Sequence, residues 1–326
     1  MRFFITGATG FVGSHIAKVL IARGHTVRAL IRPGRTRPIN ALSGVPHEIV
    51  EGDLDDLDSL AHGMNGADGV FHVAAHLGMA PDEKETQTNV NVRGTANVVT
   101  AALRCGVPRM VHTSSVAAVG IGDRGASVDE KIDYNWPSWL QYMASKRDAE
   151  AEVHSGIAKG LNAVIVNPAT VFGPGDVYMG NGMIFQQVAR GLLRAVPDGG
   201  MTTCDVRDVA AGHWAAFERG RTGERYILGG ESLPFRDVVR IVATTMGVAG
   251  PRITVPAFAT DIAGRIALGV EALGLRLPVL GAHLRLCGRR YYHSSQKATG
   301  ELGYRWRSFE TTVRDSVAWY RKVGLL

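Results

Sequence analysis

The chain has little of what marks a disulfide-stapled, metal-stapled or membrane-spanning protein. Its 326 residues include three cysteines, Cys105, Cys204 and Cys287. They are far apart, odd in number and free of any C-x-x-C spacing, which argues against a disulfide framework and a zinc site. Scattered thiols fit a reducing compartment, so a cytoplasmic location is expected. No stretch reaches about 18 uncharged apolar residues, and no integral membrane segment is expected. The nearest, Val255 to Leu280, is interrupted by Asp261, Arg265, Glu271 and Arg276 and reads as a surface-lying amphipathic helix over a pocket, with peripheral membrane contact as the alternative. No long Lys/Arg run or basic helix face stands out behind the formal charge of +6, so no nucleic-acid partner is expected. Strand character begins at residue 2, so no signal peptide is expected. Linkers, internal repeats and low-complexity segments are missing too. What remains, 45% apolar and 20% charged residues, is ample for the core of one large domain or two intimately joined ones.

What is present is concentrated in the first thirteen residues. A short apolar strand runs into Gly7-Ala-Thr9-Gly10-Phe11-Val12-Gly13, followed by a helix from Ser14 to Arg23 and a strand from Thr26 to Ile31. Strand, glycine turn, helix and strand form a βαβ unit. Gly7 permits the tight turn, Gly10 lets backbone approach a pyrophosphate, and Gly13 lets the helix pack against the sheet. The helix N-terminus then presents free N–H groups and a partial positive charge to the phosphates.

The second strand ends at Arg32, where an NAD-preferring unit would carry an acid for the ribose hydroxyls. A guanidinium there would clamp a 2′-phosphate instead, so NADP(H) is expected over NAD(H), with Arg28, Arg35 and Arg37 nearby. Further strands are expected over His47–Glu51, Val70–Ala75, Arg109–Ser115 and Ala163–Asn167. Asp53, before Leu54, is placed either to accept from the adenine amino group or to cap the helix Asp56–Gly63. Ala74 and Ala75 are small enough for the cofactor to approach, and His76 and Met79 lie in a loop that could line a pocket. The helix Thr88–Cys105 carries Asn89, Asn91 and Asn97; buried asparagine is costly without partners, and Asn91 is expected to bond backbone or order an active-site water.

Thr113 and Ser115 stand at the carboxyl end of the fifth strand, where open parallel sheets bind ligands. A helix within Trp136–Lys159 carries Tyr142 and Lys146 four residues apart on one face. Beside a nicotinamide these three residues suit hydride transfer to a carbonyl. Ser115 holds the carbonyl oxygen, Tyr142 supplies the proton, and Lys146 lowers the phenol pKa while bonding the nicotinamide ribose. After residue 176 the alternation loosens into helices over Gly182–Leu193, Pro234–Met246, 257–274 and Glu310–Val323, with short strands near Thr203 and Tyr226–Leu228. A substrate-capping region at 177–326, woven into a dinucleotide-binding domain at 1–176, is expected. Met79, Trp136, Trp139 and Phe185 suggest an apolar pocket, while Arg289 and Arg290 could meet a nucleotide diphosphate.

Together these motifs resemble the extended short-chain dehydrogenases/reductases over essentially the whole chain. Thr6–Gly13, Gly52-Asp53-Leu54, His72–Ala75, Asn91–Thr95, Thr113–Ser115, Tyr142–Lys146 and Asn167–Asp176 carry the resemblance. The chain is most similar to the dihydroflavonol 4-reductase-like branch, including bacterial members called hopanoid-associated sugar epimerases. The resemblance implies an α/β fold with a doubly wound parallel Rossmann sheet. Asn91 joins the catalytic set of Ser115, Tyr142 and Lys146; Asn167 and Pro168 join the cofactor contacts; and His76 and Thr170 join the substrate side. A homodimer through helices spanning about 88–104 and 141–158 is also implied. The expected activity is an NADPH-dependent ketone or aldehyde reductase, reversible as an alcohol dehydrogenase. An NAD-dependent sugar epimerase or hydroxysteroid-type dehydrogenase/isomerase stands as the alternative, and a non-catalytic NADPH-binding regulator as a third.

Overall fold

Seven runs of four to six residues, rich in valine and isoleucine, pair into one all-parallel sheet. In chain order they are β1 (Arg2–Thr6), β2 (Thr26–Ile31), β3 (Glu48–Glu51), β4 (Gly69–His72), β5 (Met110–Thr113), β6 (Ala163–Pro168) and β7 (Arg225–Leu228). Their spatial order is β7-β6-β5-β4-β1-β2-β3. The computed structural model describes all residues except 35–40, 79, 274 and 276–280. Arg35, Arg37, Met79 and the 276–280 end of the apolar segment therefore lie outside the described residues.

Side chains alternate across the strands and build two cores. Phe3 and Ile5 of β1 face α1 (Phe11–Ala22) and α5 (Val206–Arg219), meeting Ile16, Leu20, Val209 and Ala210. Phe4 of β1 faces the other way, toward Leu60 of α2 (Leu57–Met64), Val98 of α3 (Gly94–Arg104) and Val153 of α4 (Gln141–Ala158). The result is the doubly wound sandwich the βαβ pattern implied. The strand order reverses between β1 and β4, and ligands of open α/β sheets bind in the crevice at such a point.

The expected elements appear with ends shifted by a few residues, α1 starting at Phe11 rather than Ser14. Asp56 caps α2, its carboxylate accepting from the Asp58 and Ser59 amides, so the cap reading of Asp53 is corrected. The long helix expected over 88–105 is interrupted: Thr88–Arg93 is a π-helical turn before α3.

The region after 176 holds a sheet that composition alone did not suggest. Gly200–Asp205 is flanked by Ser232–Pro234 and Arg290–His293, with Ser127–Val128 and Thr170–Phe172 joining it. Helices Phe235–Met246 and Phe309–Lys322 share a third core with Phe172 and Phe185. Phe185 is thus packed in the core rather than lining a pocket. Helices Ala257–Ala272 and Gly281–Cys287 pack against each other through small residues: a Cβ on Gly281 would meet the Leu268 backbone at 2.7 Å. Among the described residues no helix is long and apolar enough to cross a membrane.

Candidate active site

The turn after β1 is built for a close approach. Gly7 has φ of +71°, and a Cβ there would lie 2.6 Å from the Ala74 amide nitrogen. A Cβ on Gly13 would collide with the carbonyl of Gly7. Gly10 differs: a Cβ there would meet only the Gly7 carbonyl oxygen, at 3.1 Å, with open space beyond. No side chain caps α1 at Gly10, so its first-turn amides face that space. The open cradle and its row of N–H donors fit a dinucleotide pyrophosphate.

Arg32 and Asp53, at the ends of β2 and β3, meet in the same crevice. The guanidinium Nε lies 3.8 Å from an Asp53 carboxylate oxygen, and both side chains are half-exposed. The other Asp53 oxygen accepts from the Leu54 amide at 2.6 Å. Arg28 does not join them: it bonds Glu48 and the carbonyls of Gly63 and Asn65, tying β2 to β3 and α2.

A hydrogen-bond chain fixes the end of β4 beside the glycine turn. His72 is fully buried, and burial, with Lys146 nearby, pulls its pKa down to about 3, so the ring is neutral. Thr95 donates to the Asn91 carbonyl at 2.6 Å, which leaves its oxygen to accept from His72 Nε2 at 3.0 Å. His72 Nδ1 then accepts from Thr6 at 2.7 Å, and the Thr6 oxygen accepts from the amides of Val73 and Ala74. Asn91 itself accepts from the His76 amide at 2.7 Å and donates to the His76 carbonyl and to Ser145, each at 3.0 Å. The expectation that Asn91 bonds backbone holds, and its partner is the segment leaving β4. His72, Thr6 and Thr95 lie inside motifs the sequence marked but were given no role, because an alternating strand gives no sign that its inward histidine is a hub.

Ser115, Tyr142 and Lys146 come together at the ends of β5 and β6. Ser115 accepts from the Ala117 amide at 3.1 Å and is hydrogen-bonded to the Tyr142 hydroxyl. The electrostatics depart from expectation. Burial pushes the Tyr142 phenol up to about 12, with only the Ser115 hydrogen bond opposing. Lys146 does not lower it; its Nζ donates to the Thr113 carbonyl at 2.9 Å. Burial also pulls Lys146 down to about 8, so both groups resist ionisation for want of solvent. The Thr113 hydroxyl donates to Nε2 of His213, whose Nδ1 donates to the Val209 carbonyl at 2.7 Å.

Glu150 completes the row, one turn beyond Lys146, so Tyr142, Lys146 and Glu150 share one helix face. Its carboxylate is buried, accepts from Asn167 at 2.6 Å and from Arg225 at 3.3 Å, and is the group that supports the charge on Lys146. Asn167 also donates to the Ser115 carbonyl at 2.9 Å, joining β6 to the serine. The i, i+8 spacing from Tyr142 was the available signal for Glu150. Glu150→Gln removes the one carboxylate that raises the Lys146 pKa against burial. The Lys146 proton then leaves at lower pH, and the alkaline decline of kcat/KM is expected to begin at lower pH than in the wild type, as read from a pH–rate profile.

The residues expected on the substrate side are partly committed elsewhere. His76 Nε2 pairs with Glu83 at 3.1 Å, and Thr170 is hydrogen-bonded to the half-buried Tyr291. Trp136, Leu140 and Met143 pack with Leu286 of the helix Gly281–Cys287, which walls this side. Arg285 of that helix lies 3.9 Å above the Trp139 ring and pairs with Asp261 at 2.7 Å. Arg290 is held by Asp198 at 2.6 Å. Among the described residues no group of three or more His, Cys, Asp or Glu is arranged to hold a metal.

A dinucleotide cradle beside an Ser–Tyr–Lys constellation defines a class of protein: NAD(P)-dependent oxidoreductases acting between an alcohol and a carbonyl. Comparison with known proteins narrows the class. The chain belongs to the NAD-dependent epimerase/dehydratase family, whose model matches residues 3–229. It is 36% identical to a protein of Synechocystis sp. named for dihydroflavonol 4-reductase, over 99% of this chain and 95% of that one. It is 32% identical to sterol demethylase protein B of Methylococcus capsulatus, over the full length of both. Among solved structures it is similar to gox2253, with a TM-score of 0.88, 36% identity, and coverage of 99% of this chain and 98% of that one. The resemblance to the extended short-chain dehydrogenases/reductases and their dihydroflavonol 4-reductase-like branch therefore holds.

Proposed function

We propose that the protein is an NADPH-dependent carbonyl reductase, reversible as an alcohol dehydrogenase. The observation that carries this reading is the hydrogen-bonded Ser115–Tyr142 pair, whose phenol burial keeps protonated. A protonated Tyr142 is the acid that reduction requires, and Ser115 beside it orients the carbonyl oxygen. The nicotinamide supplies the hydride when bound. Lys146, held by the Thr113 carbonyl and kept charged by Glu150, contributes a donor for the nicotinamide ribose. Asn91 fixes the segment carrying Ala74, Ala75 and His76, while Asn167 and Pro168 border the nicotinamide end. Gly7, Thr9, Gly10, Phe11, Val12 and Gly13 take the pyrophosphate, and Asp53 and Leu54 the adenine. The test is turnover of a ketone and aldehyde panel with NADPH; a failure to reduce any member would remove the reading.

Arg32 underlies the choice of NADPH, since a half-exposed guanidinium at the end of β2 suits a 2′-phosphate. Arg32→Asp is expected to weaken NADPH binding about 10- to 100-fold while leaving NADH binding little changed, measured by titration calorimetry. Equal affinity of the wild type for both cofactors would overturn the assignment. The Arg32–Asp53 ion pair favours a second reading, because an arginine engaged by an acid is less available to a phosphate. In that case the enzyme is an NAD-dependent epimerase or a hydroxysteroid-type dehydrogenase/isomerase, and non-exchanging NAD would co-purify. We further take the protein to be a cytoplasmic homodimer, with exposed Ala151 and Ala158 of α4 allowing close helix packing.

A further inference from the structure

The helix Ala257–Ala272 is built inside out. Its inward positions are small, with Thr260, Gly264 and Ala267 packed against the helix Gly281–Cys287. Its outward positions are large and apolar: Phe258, Ile262 and Ile266 are 70%, 55% and 64% exposed. They stand four residues apart on one stripe, which continues to the exposed Leu273 just past the helix. Single exposed apolar residues are ordinary on a soluble protein, but an aligned set on one helix is not.

Arginine outnumbers carboxylate along the stretch that carries the stripe, although Arg290 is paired with Asp198 and Arg276 lies outside the described residues. Residues 252–290 contain six arginines against two carboxylates, so they carry +4 of the +6 formal charge of the chain. The carboxylates are already committed. Asp261 is shared between Arg265 and Arg285, each at 2.7 Å, and Glu271 accepts from the Gly281 amide at 2.8 Å. Arg265 is itself exposed on the stripe, between Ile262 and Ile266. An apolar helix face set in excess positive charge is complementary to one kind of partner, an anionic lipid surface. There the side chains enter the acyl boundary and the guanidiniums remain among the headgroups.

We propose that this face docks the protein on anionic membrane surfaces, with Phe258, Ile262 and Ile266 inserted and the exposed Arg265 among them meeting lipid phosphates. The contact is peripheral and reversible. It does not depend on turnover, so it is tested apart from the reductase reading.

The experiment is co-sedimentation of the full chain with phosphatidylcholine vesicles containing about a quarter phosphatidylglycerol, and with phosphatidylcholine alone. Binding is expected to the anionic vesicles, to weaken as salt is raised, and to be far weaker on the neutral ones. Ile262→Glu/Ile266→Glu is expected to lower the partition coefficient about tenfold or more, and Phe258→Ser to lower it in the same direction. All three side chains are exposed, so circular dichroism of the variants should match the wild type. The proposal is overturned if the wild type ignores anionic vesicles at low salt, or if the double variant binds as well as the wild type. It is equally overturned if sedimentation velocity without lipid shows that the double variant dissociates a wild-type oligomer, because a second copy of the chain then covers the face.

Discussion

Tyr142→Phe is expected to lower kcat/KM for the best carbonyl substrate about a thousandfold, with NADPH affinity unchanged within about threefold. The loss corresponds to about 4 kcal/mol of transition-state stabilisation. The geometry explains why the loss should fall on chemistry. Tyr142 is half-buried and its hydroxyl is bonded to Ser115, whose oxygen also accepts from the Ala117 amide. Removing it leaves the serine held, the ring packed and the glycine turn untouched. Neither Lys146, tied to the Thr113 carbonyl, nor His213, whose Nε2 accepts from Thr113, is free to replace the lost proton donor. Single-turnover measurement with saturating NADPH separates the chemical step from binding. Wild-type rates in the variant would exclude Tyr142 as the acid.

Gly13→Ala is expected to damage both stability and cofactor binding through one methyl group. The added Cβ collides with the Gly7 carbonyl and would lie 3.0 Å from the Ala8 Cα. Both are backbone atoms, so no side chain can swing away. The Gly7 carbonyl also accepts from the Gly10 amide at 2.9 Å, so moving it opens the turn that forms the phosphate cradle. Overpacking of this kind costs about 2–3 kcal/mol, and NADPH binding should fall more than about tenfold because the α1 amides lose their alignment. Gly300→Ala is the matched control. It too lies in a helix, but a Cβ there meets nothing within 4 Å, and alanine should be neutral or slightly stabilising. Thermal unfolding and NADPH titration of the two variants provide the comparison. Equal behaviour would show that the turn tolerates a side chain.

The parts of the protein that local periodicity controls were legible in the sequence. β1, α1 and β2 show an apolar run, three spaced glycines and an apolar helix stripe, and the structure places them as the sequence implied. Tyr142 and Lys146 were found because an i, i+4 spacing is a statement about one helix. The rest depended on contacts between distant segments. The second sheet is assembled from strands of two to six residues, too short for alternation to register. Glu150 reads as an ordinary helix glutamate until Asn167 and Arg225 arrive from two other strands. The sign of the Tyr142 shift was missed for a related reason. Proximity to a lysine is visible in sequence, whereas the burial that outweighs it is a property of the whole fold.

β7 has a consequence for how the molecule is made. Residues 225–228 emerge from a ribosome some fifty positions after the last residue of the dinucleotide-binding segment. Until then β6, whose six residues are all buried in the finished protein, would offer an unsatisfied backbone edge to any neighbouring chain. Arg225, the first residue of β7, also brings the guanidinium that pairs with Glu150. The same late stretch therefore closes the sheet and neutralises the Glu150 carboxylate behind Lys146, so a nascent chain stalled before residue 225 would lack both.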